Sequence, residues 1–484
     1  MTIDYDVVII GGSLAGHYAA LAATQLHAKV ALVESQLNYG FIHHQAMSEI
    51  AKLAQNLGDA PSFGIHATQC HTSEKCSMSV AWQEAMLYAD GVASNIQEQN
   101  SPAILAALGV DVILGKGQFQ SSPHLGFSVN NRLLTGRTYL LATGSRPLIP
   151  EIDGLQTTGY LTLSNIWQSL KASALPKNWV IIGGVPQSIE IAQTLARLGC
   201  SVTLVVRYAS ILPCIDLEIA QLLQAQLEVD GVRVLTQTQV TQVMRIEDKK
   251  WIQAADKAIE TDEILVATGQ QPNVESLNLA AVGVKWHRRQ LAVNHKLQTT
   301  NHRIYACGDV IGGYDFANVA NYEAGIALKN ALFFPRFQVN YQYVPWAIFS
   351  QPMLAQVGLT EAQAKREFSR DEVLVLRQYY KSATLAQLRG ETTGICKLIV
   401  LRNGKILGAA VLGTEARELI NLIAVAMSQK ISVKHLANLS AVYPSYSEIL
   451  EQTAREWNKQ RLNSNIALQD FLESFFHFRR NWNL

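Results

Sequence analysis

Three features of the sequence predict an α/β fold. A glycine-rich turn at residues 11–16 joins an apolar strand to an alanine-rich helix, and a second such turn stands at residues 183–188. Beyond Val344 the pattern changes to alternating strands followed by a helix. Strands alternating with helices build parallel sheets, and strands grouped ahead of a helix build a separate layer. The prediction is therefore two Rossmann-like nucleotide-binding domains plus a C-terminal α+β domain.

The first unit opens with residues 6–10 (DVVII), a short run of β-branched residues, and its second strand, residues 29–33 (KVALV), ends on Glu34. Between them Gly11 makes a tight turn, Gly12 and Ser13 continue it close to where a pyrophosphate would lie, and Gly16 lets helix and strand pack closely. The helix N-terminus offers unpaired N–H groups to phosphates, and Glu34 can accept hydrogen bonds from an adenosine ribose. Ser13 replaces the middle glycine of the fingerprint, so an ordinary strand–helix–strand unit without a ligand is the competing reading.

At 484 residues the chain is too long for one ordinary core, and several domains are expected. Its 40 Lys and Arg against 39 Asp and Glu leave a net charge of +1, which excludes nucleic-acid binding by a bulk polycation. Six scattered cysteines do not make a disulfide framework, so a reducing compartment is expected. The first strand starts almost at once, with no basic region and apolar core ahead of it, and no apolar run is long enough to span a bilayer. Cytoplasmic residence follows as an expectation.

In order along the chain, residues 35–45 read as a polar, histidine-containing turn, followed by a helix to about Leu57 and an irregular stretch at 58–79 that carries Cys70 and Cys76. A helix over 80–97, strands at 110–114 and 118–119, and a strand at 137–141 lead to the Ala-Thr-Gly run 142–144. The second unit has a strand at 179–182, Gly183 and Gly184 in the turn, a helix over 188–198 carrying Glu190, and a strand from 201 that ends at Arg207. Val185 and Ser188 stand where glycines are expected, so a fold that has lost its ligand competes here with a nucleotide site. Residues 262–269 repeat the Ala-Thr-Gly run, and a strand at 303–309 delivers Asp309 beside Gly308, at the sheet end where ligands bind. Strands at 373–380, 396–402 and 406–413 and a helix over 416–429 complete the α+β domain.

Segments 142–147 (ATGSRP), 267–273 (ATGQQPN), 304–309 (IYACGD) with Ala320, Glu323 and Ala324, and 357–361 (VGLTE) together resemble the flavoprotein disulfide reductase family. That family includes glutathione reductase, dihydrolipoamide dehydrogenase and mercuric reductase, and the resemblance covers residues 4–455. It implies an FAD-binding domain at 1–155 and 265–345, an inserted NAD(P)H-binding domain at 156–264, a dimerisation domain at 346–455 and a helical extension at 456–484. The FAD segments contain Gly11, Gly12, Ser13, Gly16, Glu34, Thr143, Gly144, Gly269, Gly308 and Asp309, the last near the ribityl chain. Gly183 and Gly184 belong to the NAD(P)H turn, and Glu190 matches a glutamate near nicotinamide and flavin. Arg207 matches the arginine by the 2′-phosphate, with Val206 where NAD-using relatives have an acid, so NADPH is preferred over NADH.

The pattern breaks where the family's thiol chemistry resides. Gln36 and Phe41 fall on the two cysteines of the CxxxxC pair, and His43, His44 and Gln45 on the following Pro, Ser and Lys. The C-terminal His-Pro-Thr becomes Tyr443, Pro444 and Ser445, with Glu448 retained. Disulfide exchange requires sulfur, and an unperturbed tyrosine does not titrate near neutrality. The expected function is an FAD-dependent NAD(P)H oxidoreductase that reduces a small acceptor such as a quinone, with Glu190, Tyr443, Glu448, Phe41 and His43 as its catalytic set. The alternative is a flavin-binding regulatory protein with little catalysis; a mercuric reductase proper lacks its thiolates.

For Cys70 and Cys76, with His66 and His71 nearby, a relocated dithiol or a metal site competes with incidental loop cysteines, and no metal is expected. His43 and His44 have a bland surface reading beside a role at the acceptor face. Cys200, Cys214, Cys307 and Cys396 read as packing residues. In the extension, Leu462, Ile466, Leu468, Phe471, Leu472, Phe475, Phe476 and Phe478 form an amphipathic pattern ahead of Arg479, Arg480 and Trp482. Packing on the homodimer's own domain competes with peripheral contact at a membrane surface.

Overall fold

The computed structural model describes residues 3–34, 40–64, 80–171, 173–287, 290–313, 315–463 and 465–482. Gln36, His66, Cys70, His71 and Cys76 lie outside them. Two compact units result, Met1–Ile211 with Leu227–Val339, and Leu212–Gln226 with Asn340–Leu484.

The first unit is built on two parallel sheets of the same plan. In one, Tyr5–Ile10 lies between Val30–Glu34 and Gly136–Leu141, with Val110–Leu114 and Ile304–Ala306 at the edges. In the other, Asn178–Ile182 lies between Ser201–Val205 and Glu263–Val266, with Val232–Leu235 and Leu161–Thr162 outside. Such sheets are covered on both faces, which is why their strands are nearly unbroken apolar runs. Val7, Val8, Ile9, Leu32 and Leu140 are fully buried, as are Ile181, Leu204 and Leu265. In each sheet the strand beside the central one runs into an Ala-Thr-Gly segment, 142–144 or 267–269. Just past those segments, Ser145–Pro147 pairs antiparallel with Gln270–Pro272.

The second unit carries a five-stranded antiparallel sheet in the order Trp346–Ile348, Leu354–Gly358, Ile406–Leu412, Ile395–Leu401, Val373–Tyr379. Helices Ala416–Ser428 and Ser447–Asn463 bury Leu419, Ile423, Ile449 and Trp457 in the core shared with that sheet. Lys397 is buried and ion-paired to Glu361 at 2.7 Å and Asp216 at 3.4 Å.

Two expectations change. The polar turn assigned to 35–45 gives way at Gly40 to a helix, Gly40–Asp59, because Ala46, Met47 and Ala51 supply a buried face in register with His43 and His44. In the extension, Asn465 caps a helix Ile466–Asn481 by accepting from the Leu468 N–H at 3.0 Å. None of its residues is buried within the chain; Phe471 is 63% and Trp482 60% exposed.

Candidate functional site

The two glycine turns stand at the carboxyl ends of their central strands. Gly11 has φ +115°, and a Cβ there would lie 2.3 Å from the Ala142 carbonyl oxygen. A Cβ on Gly16 would come within 2.0 Å of the Gly11 carbonyl oxygen, and one on Gly12 within 2.4 Å of the Glu34 side chain. These contacts leave a bare backbone shelf at the head of helix Leu14–Gln25, the arrangement a pyrophosphate requires. Ser13 caps that helix, accepting from the Gly16 N–H at 3.3 Å. Glu34 is buried, with its carboxylate 3.4 Å from His17 Nε2.

At the second turn Gly183 has φ +122°, and its Cβ would lie 1.9 Å from the Ala267 carbonyl oxygen. Ser188 Oγ donates to the carbonyls of Val185, at 2.6 Å, and Gly183, at 3.3 Å. A Gly184 Cβ would be 3.0 Å from both the Ile211 carbonyl and Val206. Arg207 is exposed at the end of its strand, its guanidinium 4.7 Å from the centre of the Tyr208 ring.

The Ala-Thr-Gly segments are tied to their surroundings by backbone bonds. Thr143 Oγ1 donates to the Asn273 carbonyl at 2.7 Å, and the Asn273 N–H to the Gly144 carbonyl at 3.0 Å. Thr268, just before Gly269, donates to the Leu148 carbonyl at 2.7 Å. The Gly308 N–H donates to Glu323 at 2.7 Å, which orients the next residue, Asp309. Burial, and next the neighbouring Asp315, push the Asp309 carboxyl up to about 7. The carboxyl of Asp315 is raised as well, chiefly by burial. Gln187 donates to Asp315 Oδ2 at 3.1 Å, linking the second turn's helix to this pair.

Between the two turns, helix Gly40–Asp59 packs on helix Pro186–Arg197. His44 Nε2 stands 3.0 Å from Glu190 Oε2, and Gln45 Nε2 donates to the same oxygen at 3.4 Å. His43 turns instead to Asp90, at 3.5 Å, which is paired with Lys171 at 2.6 Å. Both imidazoles stack on Trp167, at 5.9 Å for His43 and 5.7 Å for His44. Burial lowers the His43 pKa despite the pull of Asp90. Successive helical side chains point about 100° apart, so of the two histidines His44 faces Glu190 and His43 faces Asp90. Phe41, in the same helix, is 42% exposed.

Tyr443 and Glu448 belong to the second unit. Tyr443 is 71% exposed, and Glu448 accepts from the Thr384 N–H at 3.2 Å and from Gln452 at 2.9 Å. His17, Trp167, Gln187 and Asp315 escaped the sequence reading. Their partners lie far along the chain or carry no spacing signature; only Gln187, one turn before Glu190, had a signal in its helical phase.

Residues 5–324 match the pyridine nucleotide-disulphide oxidoreductase family, and residues 344–454 match its dimerisation domain. The mercuric reductase of Staphylococcus aureus is 32% identical over 471 residues, spanning 94% of this chain and 83% of the relative. The dihydrolipoyl dehydrogenase of Synechocystis is 28% identical over 477 residues, covering 93% and 98% of the two chains. Among solved structures, LpdA from Mycobacterium tuberculosis superposes with a TM-score of 0.83 at 25% identity, covering 93% of this chain and 99% of its own. The HOCl-induced flavoprotein disulfide reductase RclA from Escherichia coli, at 24% identity and a TM-score of 0.81, shares the fold. The glycine shelves fit the dinucleotides that this family uses, and the chain belongs to the pyridine nucleotide-disulphide oxidoreductases, homodimeric FAD-dependent enzymes that use NAD(P)H.

Proposed function

We propose that the protein is an NAD(P)H oxidoreductase that passes electrons from its flavin directly to a small acceptor such as a quinone, with no redox disulfide in the path. The observation that carries this reading is Phe41, a phenyl ring where the family needs a thiol, on the helix that brings His44 to the retained Glu190. Of the four cysteines within the described residues, Cys200, Cys307 and Cys396 are buried, whereas Cys214, expected as a packing residue, is exposed. Burial pushes the thiols of Cys200 and Cys396 up to about 12 and raises that of Cys307 further, whereas exchange requires a thiolate. Relatives that reduce disulfides or mercury retain a chemistry for which Gln36 and Phe41 have no equivalent.

In this reading the shelf at Gly11, Gly12, Ser13 and Gly16 holds the FAD pyrophosphate and Glu34 its ribose, with Asp309 and Thr143 along the chain toward the ring. Bound FAD supplies the two-electron chemistry, and the protein supplies position and electrostatics. Gly183 and Gly184 cradle the second nucleotide, whose 2′-phosphate Arg207 meets, favouring NADPH over NADH. Phe41 stacks on a planar acceptor, and Tyr443 and Glu448 finish the site from the second copy of the dimer.

Anaerobic mixing of the FAD-loaded protein with NADPH should bleach the flavin absorbance rapidly, and a quinone should restore it. Bleaching followed by no reoxidation with any of a panel of quinones would sink the reading, as would activity on a disulfide substrate. If neither NADPH nor NADH bleached the flavin, the regulatory alternative would take its place.

The C-terminal helix favours a companion proposal, that a cytoplasmic enzyme meets its acceptor at a membrane surface. Leu468, Phe471, Phe475, Phe478 and Trp482 share one exposed face beside Arg479. No helix among the described residues is long and apolar enough to cross a membrane. Removal of residues 465–484 should abolish partition onto anionic liposomes; unchanged partition would refute the contact.

A further inference from the structure

A buried carboxylate–imidazole pair remains without a task in the reading above. His44 and Glu190 are both 4% exposed, and the imidazole is held by Glu190 at Nε2 and by Trp167 across its face. Its other nitrogen, Nδ1, is buried and has no hydrogen-bond partner among the described residues. A ring nitrogen taken out of water and left unbonded is costly, and such atoms occur where a ligand or a proton completes them. A carboxylate that accepts from one imidazole nitrogen fixes the tautomer and stabilises the charged ring once the other nitrogen is protonated.

The pair also stands in the right part of the fold. Helix Gly40–Asp59 follows the strand that ends at Glu34, and Glu190 is one turn beyond the second glycine turn. Gln187, on that same turn, bonds to Asp315 and through it reaches Asp309 at the end of strand Ile304–Ala306. The imidazole therefore lies beside the elements that serve both nucleotides.

We infer that His44, oriented by Glu190, holds the proton that electron transfer to the acceptor requires, taking it up at Nδ1 as the flavin is reduced and releasing it as the acceptor is reduced. This rests on the direct-acceptor reading. Converting a quinone to its hydroquinone consumes two electrons and two protons. A hydride from NADPH accounts for both electrons and one proton, leaving NADP⁺, so the second proton must come from the protein or from water. His44 is a positioned source: its Nδ1–H bond breaks, Nε2–H stays with Glu190, and solvent restores the proton before the next turnover. The charged groups around it are Glu190 on helix Pro186–Arg197 and, beyond it, Asp315; His43 alongside; and Asp90 with Lys171 behind His43.

The pH slope of the flavin midpoint potential counts protons bound per pair of electrons, and it needs neither nucleotide nor acceptor. Around neutrality the FAD-loaded wild type should take up one more proton than His44→Gln, which can still donate to Glu190 but cannot carry the charge. Glu190→Gln should lose most of the same uptake while retaining a hydrogen-bond partner for Nε2. In ¹⁵N spectra of the oxidised holoprotein, His44 should be the Nε2–H tautomer, a readout available even if a variant loads FAD poorly. Equal slopes for wild type and His44→Gln, or an Nδ1–H tautomer, would overturn the inference. A lack of quinone turnover with the slopes as expected would overturn the direct-acceptor reading and leave the proton-holding pair standing.

Discussion

The two glycine turns of the first unit solve one backbone problem in two ways. Both begin with a glycine at positive φ pressed against the carbonyl of an Ala-Thr-Gly alanine, Gly11 on Ala142 and Gly183 on Ala267. They diverge at the next helical turn. Gly16 leaves the carbonyl of Gly11 bare, whereas Ser188 occupies the matching place and donates to the carbonyls of Gly183 and Val185. Ser13 caps the first helix through its side chain, while the second starts on Val185 and Pro186, which cannot. The second strand of the first unit ends on buried Glu34, and the corresponding strand of the second unit, Ser201–Val205, is followed by exposed Arg207. The difference teaches that the first glycine is set by strand packing, and that the later positions are free to be tuned to what is bound.

The strongest way to break the comparison is to place a methyl group at each first glycine. Gly11→Ala and Gly183→Ala each force an L-residue to φ above +110° and drive a Cβ to within 2.3 Å and 1.9 Å of a backbone carbonyl. Each should cost about 3 kcal/mol or more. The consequences should separate: Gly11→Ala should purify without FAD, whereas Gly183→Ala should keep its flavin absorbance and lose reduction by NADPH. FAD content and the thermal midpoint check both. Retention of NADPH reduction by Gly183→Ala would show that the second turn is not a nucleotide site.

How much of this was legible in the sequence depended on whether a residue's role is set by its neighbours along the chain or across it. Strand runs, glycine positions and the repeated Ala-Thr-Gly segments are local patterns, and the strands they predicted appear within a residue or two of expectation, except that the strand expected at 303–309 stops at Ala306 and Gly308 and Asp309 lie in a 3-10 turn. The helix Gly40–Asp59 was missed at its start because two histidines and a glutamine look like a turn until Met47 and Ala51 find a core. The choice between His43 and His44 is a matter of helical phase, fixed only once Glu190 arrives from a position 146 residues along the chain. Asp315 gave no signal, since an aspartate in a glycine-containing loop ordinarily reads as a solvated turn residue.

A gentler way to sharpen the comparison uses the residues at the strand ends. Arg207→Ala removes a charge-assisted partner for a 2′-phosphate from an exposed position, so only part of the usual contribution of such a bond is at stake. The KM for NADPH should rise roughly tenfold, a loss of about 1.4 kcal/mol, while that for NADH should stay within about twofold. Glu34→Ala should leave both values alone and weaken FAD retention instead. Equal effects of Arg207→Ala on the two nucleotides would mean that Arg207 acts through its stacking on Tyr208 and not on a phosphate.

The smallest expected difference lies in the caps. Ser13→Ala removes the acceptor for the Gly16 N–H and should destabilise the first helix by about 1 kcal/mol. Val185→Ser would give the second helix the acceptor it lacks, with Pro186 already suited to the first helical position, and should stabilise by several tenths of a kcal/mol. If the caps serve only the helices, both changes should move the thermal midpoint and leave nucleotide affinities alone. A fall in FAD affinity for Ser13→Ala larger than its effect on stability would instead mean that Ser13, standing where the fingerprint has a glycine, contacts the pyrophosphate itself. In that case the serine is a ligand, and the departure from the glycine pattern at the first turn is as functional as the one at the second.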